Sequence, residues 1–410
     1  MASENELFAL ALGLQSPWEL TRIEFEGEVP ELHLYVSVVS GAEMRCPSCG
    51  AVASVYDHPA ERKWRHLNFF QFKAFIHANP PRTSCSKCGI KTVTVPWSRP
   101  GSGFTLLFEA LVLVMAKKMA VAPVASLLNV SDKQVWRILE YYVETAREAQ
   151  DLSQVEQNGI DETSMKPGHN YVTVVADLNA AQVLFVTEGK DAGTVTQYKA
   201  DFEQRGGKIE QIQSICSDLS PAYISGIAKE FPSVLHVFDR FHVMKIINSA
   251  VDTVRRQEVK ENSELRQTRY LWLKNPDRLN PKQSERLAAL KTMNLATATA
   301  YQMKLNLREL WEQPDRESAA IFLDRWYQWV MESDVGQAMK KAAKAIRGHA
   351  TGILNYFHAR ITNGMMEGIN SLIQAAKTRA RGFRNVHYFK VAIYLVAGKL
   401  NFKLPITHSM

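Results

Sequence analysis

Four of the five cysteines in this chain have the spacing of metal ligands. They form two C-x-x-C-G motifs, Cys46 with Cys49 and Cys85 with Cys88, whereas Cys216 stands alone. In a reducing compartment, two such pairs are typical of a tetrahedral Zn²⁺ held by four thiolates, with no open position for catalysis. Two disulfides or buried thiols are the alternative. We therefore predict one structural zinc ion at the paired cysteines, and we expect Cys216 to be a buried strand residue.

Acidic residues at predicted strand positions form a second group that could carry chemistry. Asp161 lies in the first strand of the central region, and Asp218 closes the fourth. Neighbouring central strands would bring the two carboxylates together, where they repel each other unless a divalent cation bridges them. Glu367, in the small and apolar stretch 362–370, is the candidate for a third acid on a later helix. Strand-end caps and a surface acid are the alternative roles for these three residues.

The predicted elements around these acids follow a definite order. Three strands come first and two helix–strand units follow, at 159–163, 171–177, 182–187, 193–204, 212–218, 221–230 and 234–239. This is the order of an RNase H-like α/β sheet. The interval from 245 to about 355 reads as helical throughout, and we interpret it as an all-α insertion before the helix that carries Glu367. A strand is also predicted at 69–76, where it would make the cysteine motifs flank a β-ribbon.

A pair of short helices is predicted between the cysteine motifs and the sheet. One is expected at 122–128, and the next, capped by Ser131 and Gln134, follows after a three-residue turn. Such a pair in a basic chain is typical of a helix-turn-helix. On the second helix Lys133, Gln134 and Arg137 could reach DNA. A three-helix cluster that does not bind DNA is the alternative.

Charge is distributed unevenly along the chain. The formal net charge is +7, yet residues 1–32 hold seven acids and one base. Residues 368–410 contain no acid at all, and their bases include Lys377, Arg379, Arg381 and Arg384. The excess of positive charge over a large, aromatic-containing chain favours a polyanionic partner such as double-stranded DNA. A solvated basic face is the alternative interpretation.

Composition narrows the class of protein further. Hydrophobic residues make up 46% and charged residues 22% of the chain, which excludes a wholly disordered protein. The longest apolar run is shorter than the roughly 18 residues that a membrane span needs. Glu4 and Glu6 stand where a secretory signal would have lysines. We therefore expect a cytoplasmic protein, associated with the nucleoid when bound to DNA, and no membrane partner.

Several motifs in combination resemble the L-three family of bacterial insertion-sequence transposases. The resemblance extends over roughly residues 40–400 and includes the paired Cys-Pro-x-Cys-Gly-like motifs near the amino terminus. The other motifs are Gly159-Ile160-Asp161-Glu162, the stretches 217–223 and 238–242, Asn363-Gly364-Met365-Met366-Glu367-Gly368-Ile369-Asn370, and Arg381-Gly382-Phe383-Arg384-Asn385.

The resemblance implies a function and a set of site residues. Asp161, Asp218 and Glu367 would be the DDE triad, and such a set can hold two Mg²⁺ or Mn²⁺ ions. Asp239 and His242 resemble an Asp-x-x-His element that supports the site. The implied reaction is cleavage at the ends of the element, followed by joining of the 3′ ends to target DNA. The implied partners are the terminal inverted repeats and target DNA, bound by a homodimer or a larger assembly.

Two other functions and a division into segments complete the prediction. The rivals are a DNA-binding regulator with an inactive catalytic domain, and a nuclease that does not join strands. The fold class is a multidomain α+β protein with a zinc ribbon, a helix-turn-helix and an interrupted RNase H-like catalytic domain. The predicted segments are 1–40 (acidic), 41–98 (zinc-ribbon-like, DNA-binding), 99–150 (helix-turn-helix), 151–250 (catalytic, first part), 251–350 (all-helical insertion) and 351–410 (catalytic, last part).

Overall fold

The computed structural model describes residues 3–166, 170–293 and 295–404. The outermost ends of the first and last predicted segments, 1–2 and 405–410, lie outside the described residues. The chain divides into two compact units, one of residues up to Tyr142 with the segment from Asn401, and one from Val143 to Leu400. Within the described ranges, no helix combines the length and apolarity that a membrane crossing requires.

The first unit contains two sheets. Its strands are β1 (Trp18–Glu26), β2 (Glu31–Val38), β3 (Ser54–Asp57), β4 (Arg62–Arg65), β5 (Lys73–Ala78), β6 (Arg82–Cys85) and β7 (Gly89–Thr92). The larger sheet has the order β1-β2-β5-β4, and the smaller one has the order β3-β6-β7. Strands β2 and β5 are parallel, and buried Leu34, Trp64 and Ile76 lie in the core of this sheet. The acid-rich start of the chain is therefore part of a folded sheet.

The strand predicted at 69–76 is wrong in its start and in its partners. Strand β5 begins at Lys73, because Phe69 and Phe72 pair with each other around a turn in which Phe70 has a φ of 49°. Side-chain pattern alone does not separate such a hydrophobic turn from a strand. Strand β5 belongs to the larger sheet, and the ribbon beside the cysteines consists of β3, β6 and β7.

The described part of the first unit also contains four helices. They are α1 (Glu4–Ala11), α2 (Leu106–Lys118), α3 (Val121–Leu128) and α4 (Asp132–Glu148), the last of which ends in the second unit. Asn129 ends α3 in the left-handed conformation. The predicted capping box at the start of α4 is confirmed, since Gln134 N donates to Ser131 Oγ and Ser131 N donates to Gln134 Oε1.

The second unit is built on a five-stranded sheet. Its strands are β8 (Gln157–Lys166), β9 (Asn170–Asp177), β10 (Gln182–Glu188), β11 (Ser214–Ser217) and β12 (Leu235–Phe238). The order is β10-β9-β8-β11-β12; the first three strands are antiparallel, and β11 is parallel to both of its neighbours. Helices α5 (Ala192–Gln204) and α6 (Pro221–Glu230) connect the later strands. The predicted RNase H-like fold is confirmed.

An all-helical region interrupts this fold, as predicted. Its α-helices are α7 (Arg240–Glu258), α8 (Arg269–Leu273), α9 (Pro281–Lys291), α10 (Ala296–Arg308), α11 (Arg316–Glu332), α12 (Gln337–Gly348), α13 (Ala350–Leu354) and α14 (Tyr356–Ala359). Buried Trp272, Tyr301 and Trp326 lie in its core. Helices α15 (Gly364–Arg379) and α16 (Val386–Ala397) then return to the sheet, where Val186 N of β10 donates a 2.8 Å hydrogen bond to Tyr394 Oη.

Candidate active site

Asp161 and Asp218 lie at corresponding positions of two neighbouring parallel strands. Strands β8 and β11 pair Gly159 with Cys216. Two residues later, Asp161 lies within β8 and Asp218 directly follows the end of β11. Their side chains are held locally: Asp161 Oδ1 accepts a 2.8 Å hydrogen bond from Glu162 N, and Asp218 Oδ1 accepts a 2.9 Å bond from Ser220 N. Burial raises the pKa of Asp161, and the charge of Asp218 adds to this effect. The two carboxylates therefore share one acidic edge.

Asp239 and His242 extend this edge. Asp239 directly follows β12, and its N–H donates a 2.9 Å hydrogen bond to Ser217 O, one residue before Asp218. The buried Asp239 carboxylate caps α7 and accepts a 3.0 Å bond from His242 Nδ1. That bond raises the pKa of His242, and the charges of Asp239, Asp218 and Asp161 act in the same direction. The neighbouring carboxylates thus favour the protonated form of His242.

Helix α15 carries Glu367 to the same region. One turn after Glu367, Asn370 Nδ2 donates a 2.7 Å hydrogen bond to Asp161 Oδ2. Glu367 is exposed and lines a cavity of about 550 Å³ together with Asp239 and the bases Arg240, Lys274, Arg278, Lys304 and Arg308. Within the part of the chain that the structure describes, at least one pair of the predicted triad acids is farther apart than 4.8 Å. The three are more widely spaced than a compact set of ligands to one ion.

The chemistry of these residues fits a hard divalent cation. Carboxylate and amide oxygens are the ligands that Mg²⁺ and Mn²⁺ prefer. Asn363, just before α15, is 2% exposed, and among the described residues neither of its side-chain polar atoms has a hydrogen-bond partner. Asn370 Oδ1 is likewise buried without a partner there. The unpaired oxygen of Asn370, whose Nδ2 contacts Asp161, is one that such an ion would satisfy.

Two of these residues were missed as site residues on the sequence. Asn363 and Asn370 lie inside the Asn-Gly-x-x-Glu-Gly-x-Asn motif, in which the sequence pattern indicated only Glu367 as a site residue. The available signal is the helical spacing, because residues three positions apart lie on the same face of a helix. Asn370, three residues after Glu367, therefore lies on the same face of α15 as Glu367.

The four paired cysteines converge in the first unit. Their sulfur atoms all lie within 4.8 Å of one another, and Cys49 Sγ is 3.6 Å from Cys85 Sγ. The backbone N–H groups of Ser48 and Cys49 lower the pKa of Cys46 to about 6. The glycine after each pair, Gly50 and Gly89, has a φ near +70° that turns the chain back toward the sulfurs. Four sulfur atoms gathered at these distances form a soft donor set that fits a tetrahedral metal ion such as Zn²⁺.

Cys216 takes no part in that cluster. It lies in β11 with 0% exposure, and burial raises its pKa well above the usual value. The prediction of a buried strand residue is confirmed.

Three family models match this chain in order. A model described as a zinc finger of insertion-sequence transposases IS204, IS1001, IS1096 and IS1165 matches residues 42–88, and the helix-turn-helix domain of transposase family ISL3 matches 93–143. The ISL3 transposase model with the DDE domain matches residues 159–393, more than half of the chain. The chain belongs to the ISL3 transposase family. The predicted resemblance to the L-three family is thereby confirmed, and the protein is a DNA-cleaving transposase.

Relatives of this ISL3 transposase cover almost its whole length. It is 26% identical over 414 aligned residues, 92% of each chain, to the transposase for insertion sequence element IS1557 of Mycobacterium tuberculosis. It is 27% identical over 360 residues to the transposase for element IS1001 of Bordetella parapertussis, covering 85% of this chain and 88% of the relative.

The predicted DNA-contacting residues of α4 differ in exposure and in hydrogen bonding. Lys133 and Arg137 are exposed, whereas the Oε1 atom of Gln134 is engaged by Ser131 N. Gln134 and Arg137 line a cavity of about 430 Å³ whose other cationic walls are Lys63, Arg65, Lys73 and Arg99. This cavity brings bases from the larger sheet beside the predicted recognition helix.

The four carboxy-terminal bases also differ from one another. Lys377 Nζ donates a 2.6 Å hydrogen bond to Ser164 O of β8, so its ammonium group already holds a protein acceptor. Arg379 is exposed in the last turn of α15, and Arg381 and Arg384 are exposed in the connection to α16. In this transposase the three exposed arginines are better placed for an external anion than Lys377.

Proposed function

We propose that this transposase cleaves DNA at the ends of its insertion sequence and joins the 3′ ends to target DNA, with Asp161, Asp218 and Glu367 as the catalytic acids. The observation that carries the proposal is the hydrogen bond from Asn370 to Asp161, because it ties the helix of Glu367 to the strand edge shared with Asp218. Two Mg²⁺ or Mn²⁺ ions held there would activate the attacking hydroxyl and stabilise the leaving oxygen of the phosphodiester.

The protein's own groups prepare this site in defined ways. Asn370 fixes the orientation of the Asp161 carboxylate, and Asp239 orients His242 through its carboxylate. Asp239 and His242 are positioning residues in this proposal, because their mutual hydrogen bond arranges groups beside the catalytic acids. The 550 Å³ cavity beside Glu367 supplies positive charge for a phosphate backbone near the reacting bond through Arg240, Lys274, Arg278 and Arg308.

Recognition of the terminal inverted repeats is assigned to the first unit. We propose that Lys133, Gln134 and Arg137 contact this DNA and that a zinc ion on Cys46, Cys49, Cys85 and Cys88 holds the module folded. Lys377, Arg379, Arg381 and Arg384 are proposed to contact the DNA backbone. Two element ends must be held at once, so we propose a homodimer or a larger assembly on DNA. We also propose that the protein acts in the cytoplasm on nucleoid DNA and that the chain has the six segments defined above.

The test is a joining assay with purified full-length protein. Linear DNA that carries the element's own ends is incubated with a target plasmid and Mg²⁺ or Mn²⁺, and joined products are resolved on a gel. Joined product that depends on the terminal sequence supports the proposal. Nicking without joining would assign a nuclease, and binding without nicking would assign a regulator.

The DNA contacts have a separate test on the full chain. Loss of a base-reading side chain at Gln134 or Arg137 should cost about 1–3 kcal/mol and relax preference for the terminal sequence, whereas loss of a phosphate contact should weaken all sequences alike. Binding of terminal and random DNA is compared at several salt concentrations. Equal affinity of the unmodified protein for both DNAs would contradict specific recognition.

A further inference from the structure

A second group of metal-ligating side chains lies at one end of the larger sheet in the first unit. Glu26 and Glu31 are paired across β1 and β2, and His33 lies two residues after Glu31, on the same face of β2. His33 Nε2 is 3.5 Å from Glu26 Oε1 and 3.6 Å from Glu31 Oε2. These three ligand atoms all lie within 4.8 Å of one another. The group is separate in sequence from the paired cysteines and from the catalytic acids.

A chain of hydrogen bonds holds His33 in one orientation. His33 Nδ1 lies 2.9 Å from His77 Nε2, and His77 Nδ1 lies 2.8 Å from Glu61 Oε1. An ionised Glu61 only accepts, so a neutral His77 carries its proton on Nδ1 and accepts on Nε2. His33 must then donate through Nδ1, which leaves a lone pair on Nε2. The relay therefore presents that lone pair toward Glu26 and Glu31.

The lone pair on His33 Nε2 lies in a buried position beside the two carboxylates. His33 is 6% exposed, and among the described residues its Nε2 is a buried nitrogen without a hydrogen-bond partner. In this tautomer the Nε2 lone pair faces two carboxylates that repel it, and a cation between the three groups would remove the repulsion. A proton is one such cation, but it would have to lie in a hydrogen bond between Nε2 and a carboxylate oxygen. The N–O separations of 3.5 and 3.6 Å are too long for a good hydrogen bond.

A metal ion fits the same separations. Nitrogen and oxygen ligands about 2.1 Å from a tetrahedral Zn²⁺ lie about 3.4 Å from each other. A ligating histidine that donates its other N–H through a relay to a carboxylate is the usual outer arrangement of such sites. Lys63 Nζ, 3.6 Å from Glu31 Oε2, supplies competing positive charge. The charge of Lys63 therefore favours a moderate affinity of this site for a metal ion over a very tight one.

We propose that Glu26, Glu31 and His33 form a second binding site for a first-row divalent cation, with Zn²⁺ as its reference ion and a water molecule completing the tetrahedron. Bound there, the ion links the end of the β1–β2 hairpin to β5 and to Glu61 through His77. The site gives the acid-rich start of the chain a structural role, which is to hold a cation that fastens the first two strands.

The test measures zinc stoichiometry in full-length protein. Asp161→Asn, Asp218→Asn and Glu367→Gln are combined as a background so that the catalytic acids do not contribute. After dialysis against buffered Zn²⁺, elemental analysis should find about two zinc ions per chain in this background and about one after a further Glu26→Gln or His33→Gln. Glu28→Gln, which removes an exposed acid from the same hairpin, is the matched control and should retain both ions.

Two further readouts keep the outcome unambiguous. Because Glu26 is exposed, Glu26→Gln should fold normally, and Co²⁺-loaded protein should keep its sulfur-to-metal charge-transfer band from the cysteine site. Glu61→Gln should weaken binding of the second Zn²⁺ by about 10- to 100-fold, because it removes the end of the relay. About one zinc per chain in the unmodified background, or two in folded Glu26→Gln and His33→Gln proteins, would overturn the proposal. Neither result depends on DNA cleavage, so the proposed function is tested independently.

Discussion

Asn370 Nδ2 donates a 2.7 Å hydrogen bond to Asp161 Oδ2, across 209 positions of the sequence. This contact joins the amino-terminal half of α15 to the central strand β8, and the whole helical insertion lies between the two residues in the chain. The helix that carries Glu367 is thereby fixed to the strand that carries Asp161.

The first prediction concerns this contact. Asn370→Ala should lower Mn²⁺-dependent nicking of a terminal-repeat substrate by about 10- to 100-fold, because the Asp161 carboxylate loses the group that orients it. Gln374→Ala is the matched control, since it removes the 2.8 Å hydrogen bond from Gln374 Nε2 to Thr163 Oγ1 one turn farther along. Equal losses of nicking activity in Asn370→Ala and Gln374→Ala would show that the Asn370 contact acts only by docking α15 on β8.

The second prediction concerns the catalytic acids. Asp161→Ala, Asp218→Ala and Glu367→Ala should each abolish nicking and joining while terminal DNA binding persists, because the carboxylates serve to hold cations. Glu162→Gln should be tolerated far better, since that side chain is directed toward Lys190, with Oε1 3.6 Å from Nζ. Full activity in Glu367→Ala would move the third acid elsewhere, with the acids of the helical insertion as the next candidates.

The third prediction separates positioning from catalysis. Asp239→Asn and His242→Ala should each reduce the nicking rate by about 10- to 100-fold without erasing it, because both act through the arrangement of the site. Asp239→Asn should also lower the pKa of His242, which NMR titration of the ring protons would measure, since the Asp239 bond is the largest cause that raises it. Complete inactivity of both purified, folded variants would place them among the catalytic groups.

The fourth prediction concerns the cysteine cluster. Cys46→Ser and Cys88→Ser should each release zinc from that site and unfold the smaller sheet, because metal affinity there is folding free energy. Elemental analysis and circular dichroism would measure the two effects. Cys216→Ser is the control and should leave the zinc content unchanged. An absence of zinc from freshly purified protein would contradict the assignment.

The fifth prediction concerns the pH dependence of stability. Burial lowers the pKa of His236 to about 4, from about 6.5 when unfolded, and its Nε2 lies 2.8 Å from Ser217 Oγ. Between these values the unfolded chain binds more protons than the folded one, so acidification destabilises the fold. From pH 7 to pH 5 this group should reduce the free energy of unfolding by about 2 kcal/mol.

Urea denaturation at both pH values would test this contribution. His236→Gln should lose less stability on acidification than the unmodified protein does. The exposed His358→Gln serves as control and should behave like the unmodified protein. An unchanged pH dependence in His236→Gln would exclude burial of a neutral His236 as a source of acid sensitivity.

Local pattern was sufficient for much of this transposase. The C-x-x-C-G spacing predicted the cysteine cluster, and Ser131 with Gln134 predicted the start of α4, because ligand spacing and capping depend on residues close in sequence. The sequence also predicted the order of strands around Asp161 and Asp218. Each strand shows a local hydrophobic pattern, and the connections between parallel strands are restricted.

Only the tertiary structure decided which distant residues meet. Strand β5 pairs in parallel with β2, and that pairing sets His77 beside His33, a relation that the period of neither strand encodes. The contact of Asn370 with Asp161 depends in the same way on how α15 packs on β8 after a long insertion. Strand partners and helix docking are selected by burial over the whole chain, whereas sequence pattern reports the preferences of a few neighbouring residues.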